Sequence, residues 1–178
     1  TFVNTVASFE RNERSAVGDH FGWHPATGPG VDQREGHIFS GNLLVASADF
    51  PKALLRADQS KLLQEKLTKP PFAAVDYNLY VRPASAGDSA PTLIAWSPAE
   101  GDVNQFEFKN LAELRAKFPQ FGAHSQTLAL LPGEVLRSPE LKNYRPNRPL
   151  PVQTVLPADI AKLLGWPQQS TYVPGAYQ

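Results

Sequence analysis

The densest group of side chains suited to ligand chemistry lies in a short, loop-like stretch near the start of the chain. Two histidines, an aspartate and a tryptophan fall together there: Asp19, His20, Trp23 and His24. The two histidines would share one face of a helix, but Gly22 and Pro25 disfavour a helix, and the glutamate of a zinc-protease motif is absent. The pattern therefore favours a sugar-binding platform, in which Trp23 stacks on a sugar and its polar neighbours bind hydroxyls. The alternative is that Trp23 anchors this stretch on the protein body.

A second group of polar residues follows: Asp32, Arg34, Glu35 and His37. A glycoside hydrolase needs two carboxylates roughly 5 to 10 Å apart, which Asp32 and Glu35 would supply if the loop folds suitably. In a polysaccharide lyase, Arg34 or His37 would be the base that removes a proton beside a neutralised uronate carboxylate. A solvated charged loop is the plainer interpretation. These residues are weak candidates for catalysis, and the sequence alone identifies no catalytic residue.

Two further polar pairs have structural interpretations. Asp76 and Tyr77 lie on a predicted strand, where their side chains would point to opposite faces. His124 and Ser125 have no visible partner for a nucleophilic triad, so we expect them to form hydrogen bonds where a helix ends. The sequence indicates no cofactor and no metal site, although it does not exclude calcium.

The composition excludes several classes of protein. A chain of 178 residues fits one domain. The absence of cysteine excludes disulfides, thiol catalysis and thiolate zinc sites. Lys+Arg and Asp+Glu balance at 17 each, so we expect neither a nucleic-acid nor a membrane partner. The 17 prolines favour strands and turns over helical bundles.

Three strand-like runs, each with a central asparagine, recur along the chain: Phe2–Ala7, Ile38–Ala46 and Val75–Val81. Their asparagines, Asn4, Asn42 and Asn78, are 38 and 36 residues apart. Near-constant spacing of a strand and an asparagine indicates a solenoid, in which strands stack on the turn below and asparagines form hydrogen-bonded ladders. The alternative is three edge strands of a β-sandwich.

The second half of the chain carries helices as well as strands. The predicted strands are Thr92–Trp96 and Gln105–Phe108, and the predicted helices are Asn110–Phe118 and Pro157–Leu164. Asn110, with Glu113 three residues later, forms a capping box. Ile160, Leu163 and Leu164 form an apolar stripe on the second helix. The proline-rich remainder is predicted to be coil that wraps a surface.

These runs are similar to segments of a known superfamily. His37–Val45 resembles the asparagine-bearing turns of right-handed parallel β-helix proteins, the pectate-lyase-like superfamily. Segments resembling the C-terminal region of such proteins follow: Asp76–Tyr80, Trp96, Asn110–Phe118, His124–Ser125, Ser138–Pro139 and Gly175–Tyr177. The resemblance implies a mainly β chain, consisting of the C-terminal rungs of a right-handed parallel β-helix, long loop excursions and one or two short capping helices. Residues 1–108 would form the rungs and residues 109–178 the cap, within one structural domain.

The superfamily contains polysaccharide lyases, glycoside hydrolases, uronate epimerases and non-catalytic adhesins, so the resemblance implies a polysaccharide or oligosaccharide partner. We expect part of a secreted bacterial lyase or hydrolase, extracellular or periplasmic, in which this chain forms the C-terminal end and one wall of the glycan groove. The alternatives are a non-catalytic glycan-binding or structural β-helix and a small β-sandwich binding module. Because a solenoid turn needs neighbours, we also expect an N-terminal β-helix portion as a separate or cleaved chain.

Overall fold

The computed structural model describes residues 37–57, 72–84, 91–96, 106–153, 158–163, 165 and 172–174, together with the backbone of Phe2–Val3. The strands are β1 (Phe2–Val3), β2 (His37–Ser40), β3 (Leu43–Val45), β4 (Leu55–Ala57), β5 (Phe72–Asp76), β6 (Leu79–Val81), β7 (Ile94–Trp96), β8 (Phe106–Phe108), β9 (Gln126–Leu128), β10 (Leu136–Ser138) and β11 (Asn143–Pro146). The helices are α1 (Leu111–Lys117), α2 (Pro132–Val135) and α3 (Ala158–Leu163), with a 3-10 turn at Pro139–Leu141. The chain is therefore mainly β with a few short helices, as predicted.

Three of the four sheets contain parallel strand pairs. The largest sheet has the order β1-β3-β6-β9, and every pair in it is parallel. The pairs β2–β5 and β4–β7 are also parallel, while β8 runs antiparallel to β7. Three consecutive strands, β2 to β4, thus pair with the next three, β5 to β7, in the same order. Since β-sandwiches are built from antiparallel sheets, these pairings count against the sandwich alternative.

The sheet formed by β3 and β6 is buried on both of its faces. Successive side chains in a strand point to opposite sides, so Leu44 and Tyr80 join one apolar cluster while Leu43 and Leu79 join another. The C-terminal part of the chain covers the second side with four buried side chains: Val135, Leu136, Leu150 and Val152. Of the coil predicted between Pro139 and Pro151, Leu150 contributes to this cover. The segment is not plain coil, because β11 lies within it and pairs with β10 in an antiparallel hairpin.

An aromatic group forms one end of the first cluster. Trp96 is buried and lies 5.3 Å from Phe72, 5.5 Å from Phe118 and 5.3 Å from Phe121, measured between ring centroids. These rings come from β5, from β7 and from the segment after α1. The aromatic contacts therefore join the strands to the first helix.

Helix α1 begins and ends where the sequence predicts. The backbone N–H of Glu113 donates to Asn110 Oδ1 at 2.9 Å, which caps the helix. The Glu113 carboxylate accepts in return from the backbone N–H of Lys109 at 2.7 Å, one residue before the cap. Leu111 and Leu114 are buried in the first cluster, so the helix covers that core.

The second predicted helix exists but buries a different side chain from the one expected. Helix α3 covers Ala158–Leu163, and its Ala161 is buried. Leu163, one of the three residues of the predicted apolar stripe, is 82% exposed, so it is not packed against the core. Among the described residues, no helix is long and apolar enough to cross a membrane.

Candidate functional site

Two of the predicted asparagines, each just before one of the parallel strands β3 and β6, contact each other. Asn78 Oδ1 accepts from the backbone N–H and from Nδ2 of Asn42, both at 3.0 Å. Asn78 Nδ2 donates to the carbonyl of Phe39 at 2.9 Å, so the oxygen and the nitrogen of this buried amide both form hydrogen bonds. Ser125 continues the series, because its Oγ accepts from the Asn78 backbone N–H at 3.0 Å. The ladder therefore consists of Asn42, Asn78 and Ser125.

The first asparagine predicted for this ladder is not the counterpart of the other two. Strand β1 pairs Phe2 with Leu44. Asn42 lies two residues before Leu44, whereas Asn4 lies two residues after Phe2. The prediction that Asn4 is equivalent to Asn42 is therefore wrong, and Asn4 itself lies outside the described residues.

Beside the ladder, Asp76 binds His124 through two hydrogen bonds. The backbone N–H of His124 donates to Asp76 Oδ1 at 2.7 Å, and His124 Nδ1 lies 2.7 Å from Asp76 Oδ2. Burial raises the pKa of Asp76, but hydrogen bonds from the side chain and backbone of His124 and from the backbone of Tyr77 outweigh it, so the net pKa is lowered. The aspartate is therefore the charged, orienting member of an Asp–His pair.

Tyr77 packs flat against the imidazole. The rings of Tyr77 and His124 are 4.5 Å apart and inclined by only 5°. Tyr77 has a φ of 55°, in the left-handed region, and Gly41, which follows β2 as Tyr77 follows β5, has a φ of 69°. Glycine adopts this conformation freely, whereas a tyrosine there is strained by an amount on the order of 1 kcal/mol. The left-handed backbone at Tyr77 thus holds the tyrosine ring against His124 at some conformational cost.

These side chains border an open groove of about 780 Å³. His124 is 60% exposed there, so its second ring nitrogen is accessible to a ligand. Several exposed amides and hydroxyls complete the polar lining: Asn110, Gln126, Thr127 and Gln153. Arg115 also lines the groove and is half-buried, with Nε and Nη2 donating to the carbonyl of Gly122 and Nη2 also donating to that of Ser125. We call this feature the His124 groove.

Most of the site residues predicted from the sequence lie outside the described residues. This applies to the four binding candidates and to three of the catalytic candidates: Asp19, His20, Trp23, His24, Asp32, Arg34 and Glu35. His37 is described; it is exposed at the start of β2, where its register partner is Phe72. In the described part of the chain, no cluster of three or more His, Asp or Glu side chains could hold a metal ion.

The sequence interpretation missed the partner of His124. Asp76 and His124 are 48 residues apart, and each was treated separately as structural. The pairing of Leu79 with Gln126 makes Tyr77 and Asn78 the counterparts of His124 and Ser125. In this alignment Asp76–Leu79 and the segment ending at Gln126 share no identical residue, so the sequence carries no signal of the pairing.

Comparisons with known proteins give little further information. No protein-family model matches the chain, and no solved structure matches it. Human protein transport protein Sec16B is 33% identical to it over 102 residues, which is 57% of this chain and 9% of Sec16B. Because so little of Sec16B is covered, the likeness does not place the chain in a family.

Proposed function

We propose that this chain forms turns of a right-handed parallel β-helix and that it belongs to a secreted, carbohydrate-active protein of that architecture. The support for the fold is the order of strand pairing, in which β2, β3 and β4 stack in parallel on β5, β6 and β7. A hydrogen-bonded Asn42–Asn78 pair is the kind of ladder contact that stacked turns of such a solenoid make. The right hand is expected because parallel crossover connections are almost always right-handed.

The function that we propose is glycan binding in the His124 groove, and the main support for it is the set of polar side chains that line the groove. Exposed amides and hydroxyls can both donate to and accept from sugar hydroxyls, and an imidazole adds a further polar group. The groove is open rather than enclosed, which suits a polymer better than a small metabolite. The N-terminal β-helix portion remains part of the proposal, because β1 is an edge strand among the described strands and could accept a further strand.

Glutamine substitutions test glycan binding directly. We expect Gln126→Ala and Gln153→Ala each to weaken the binding of oligosaccharides by about 2- to 10-fold, since a hydrogen bond contributes about 0.5–1.5 kcal/mol. Gln120→Ala is the matched control, because Gln120 is exposed on the same chain but does not line the groove. Isothermal titration calorimetry with a panel of neutral and acidic oligosaccharides gives the affinities. Failure of every glycan in the panel to bind, or equal losses in all three variants, would refute the proposal.

Activity assays separate the enzymatic from the non-catalytic version of this proposal. A lyase releases unsaturated products that absorb in the ultraviolet, whereas a hydrolase releases new reducing ends without that absorbance. Binding without either product favours the alternative, a non-catalytic glycan-binding or structural β-helix.

A further inference from the structure

A second, smaller cavity lies beside strand β6. Its volume is about 190 Å³. Its wall comes from β6 and the residues just after it, from the segment before β7, from the start of α1 and from β9, and it includes Tyr80, Arg82, Leu93, Lys109, Asn110 and Thr127. Asn110 and Thr127 also line the His124 groove, so the two features share part of their wall. We call this feature the Tyr80 cavity.

The Tyr80 hydroxyl is a buried donor without an acceptor. Tyr80 is only 1% exposed, and its hydroxyl has no hydrogen-bond partner in the part of the chain that the structure describes. Asn78 Oδ1 cannot take the hydroxyl proton, because it already accepts two hydrogen bonds from Asn42. Burial raises the pKa of Tyr80, so the hydroxyl keeps its proton at neutral pH. The tyrosine therefore has a proton to donate to a ligand.

Arg82 is a fixed cation with one donor unused. Its Nη1 donates to the carbonyls of Pro91 and Thr92 at 3.4 and 3.0 Å, and its Nη2 donates to the carbonyl of Lys52. The ring of Phe50 lies 5.9 Å from the guanidinium carbon. Nε is buried and has no hydrogen-bond partner among the described residues. Burial lowers the pKa of Arg82, but an arginine remains protonated at neutral pH, so a partly buried positive charge is bound only by neutral carbonyls and a ring.

The charges around the Tyr80 cavity are all of one sign. Lys109 contributes a second cation, and the described residues that line the cavity include no aspartate or glutamate. A hydroxyl proton, an Nε–H and an ammonium group are all donors, which suits a ligand with several acceptor oxygens and a negative charge. A volume of about 190 Å³ equals that of about six water molecules, so the ligand has only a few heavy atoms.

We propose that the Tyr80 cavity binds a small oxyanion, a phosphate or a carboxylate, between the Tyr80 hydroxyl, the Nε–H of Arg82 and the ammonium group of Lys109. One anion oxygen accepts from Tyr80 and another from Arg82, which gives both unpartnered donors an acceptor. Because these two donor atoms are buried, the exposed side chains of Lys109 and Thr127 move aside as the anion enters. The site is separate from the glycan binding proposed for the His124 groove and does not rest on it.

Thermal unfolding of the full chain in different salts tests this site. Phosphate, sulfate, acetate and chloride are compared at one ionic strength, with glycerol as a neutral molecule of similar size. We expect about 10 mM of at least one oxyanion to raise Tm by roughly 3–5 °C, the effect of a Kd near 1 mM, while chloride and glycerol leave Tm unchanged. A response to phosphate and sulfate identifies a tetrahedral ligand, and a response to acetate alone identifies a carboxylate; both support the site.

Tyr80→Phe separates anion binding from packing, because it removes only the hydroxyl. We expect the variant to bind the oxyanion about 10- to 100-fold more weakly, as for the loss of a hydrogen bond to a charged group. Without anion it should unfold at the same temperature as the wild type or higher, since it no longer buries an unsatisfied hydroxyl. Tyr144→Phe is the matched control, because Tyr144 is half-buried on β11 and lies outside the cavity.

The two cations have tests of their own. Lys109→Gln should weaken anion binding by about 2- to 5-fold, the contribution of an exposed charge, while Lys162→Gln, exposed on α3, should leave it unchanged. Heteronuclear NMR follows Arg82 directly in the wild type, without a substitution that would also break its contacts with three carbonyls. Its Nε–H signal should shift during titration with the oxyanion and give the same Kd as the thermal measurements.

Three outcomes would overturn the proposal. The first is an equal change of Tm in every salt and in glycerol. The second is an equal affinity for the oxyanion in Tyr80→Phe and Tyr144→Phe. The third is a loss of anion binding in Arg115→Gln but not in Lys109→Gln, which would place the anion in the His124 groove. Oligosaccharide affinity, measured in Tyr80→Phe by calorimetry, should equal that of the wild type, so failure of this proposal is distinguishable from failure of glycan binding.

Discussion

Replacement of Asn78 by alanine should be among the most destabilising single changes in this chain. The Asn78 side chain makes three hydrogen bonds, two as acceptor from Asn42 and one as donor to the carbonyl of Phe39. Each contributes about 0.5–1.5 kcal/mol, and the part-buried backbone N–H of Asn42 loses its acceptor at a further cost of ~1–3 kcal/mol. Because Asn78 is fully buried, water cannot replace the lost groups without local rearrangement. We expect Asn78→Ala to lower the free energy of unfolding by about 3–5 kcal/mol on this reasoning.

Urea denaturation followed by circular dichroism measures this change. With an m-value of about 1–3 kcal/mol per molar urea, the midpoint should fall by more than about 1 M. Asn143→Ala is the matched control, since Asn143 is exposed on β11, and it should change stability by no more than about 0.5 kcal/mol. A double-mutant cycle with Asn42→Ala isolates the contact between the two amides, for which we expect a coupling of about 0.5–3 kcal/mol. Equal effects of Asn78→Ala and Asn143→Ala, or a coupling near zero, would refute the ladder.

Substitutions at three further positions test other parts of the structure. Because the pKa of Asp76 is lowered on folding, its carboxylate stabilises the fold above the unfolded-state pKa, and this stability is lost as the pH falls through the folded-state pKa. The difference in unfolding free energy between the wild type and Asp76→Asn should therefore be present at pH 7 and shrink below about pH 4. Urea titrations at several pH values measure this difference. A difference that stays constant with pH would contradict the lowered pKa of Asp76. Asn110→Ala should cost about 1 kcal/mol by loss of the cap, and Asn110→Ser should recover most of it; equal thermal midpoints for the two variants would argue against capping. Trp96→Ala should cost about 3–5 kcal/mol and diminish the near-ultraviolet circular dichroism, and a change below 1 kcal/mol would show that the aromatic cluster is not a core.

The parts of the fold that could be predicted from the sequence are those with a local signal. Asn110 and Glu113 define the start of α1 because capping involves residues only three positions apart. The relation between Asn42 and Asn78 was also predictable, since both follow a short strand and precede an aliphatic run. Asn4 has similar neighbours but a different register, which is set by the pairing of Phe2 with Leu44 and not by composition. Local pattern thus predicts strands better than it predicts their alignment.

The site was less predictable because it depends on that alignment. His124 contacts Asp76 and Tyr77 only because β9 stacks on β6, and β9 lies in a part of the chain without the asparagine signature. Ser125 takes the ladder position with a hydroxyl in place of an amide. Nothing in the residues next to His124 indicates that its partner lies 48 residues earlier.

The alignment of β9 with β6 affects both the stability of the chain and the shape of the groove, and substitutions of Ser125 test whether the two depend on each other. Its Oγ accepts from the Asn78 backbone, and its neighbour His124 is bound to Asp76. Ser125→Ala leaves the buried Asn78 N–H without its acceptor, at a cost of about 1–3 kcal/mol. Because the same short segment carries His124, the loss should also weaken glycan binding, even though the Ser125 hydroxyl is engaged within the fold. Ser125→Thr, which keeps the hydroxyl, should retain more of both properties. Calorimetry at a temperature where both variants are folded separates the two effects, and unchanged glycan affinity in a destabilised Ser125→Ala variant would show that the ladder and the groove are independent.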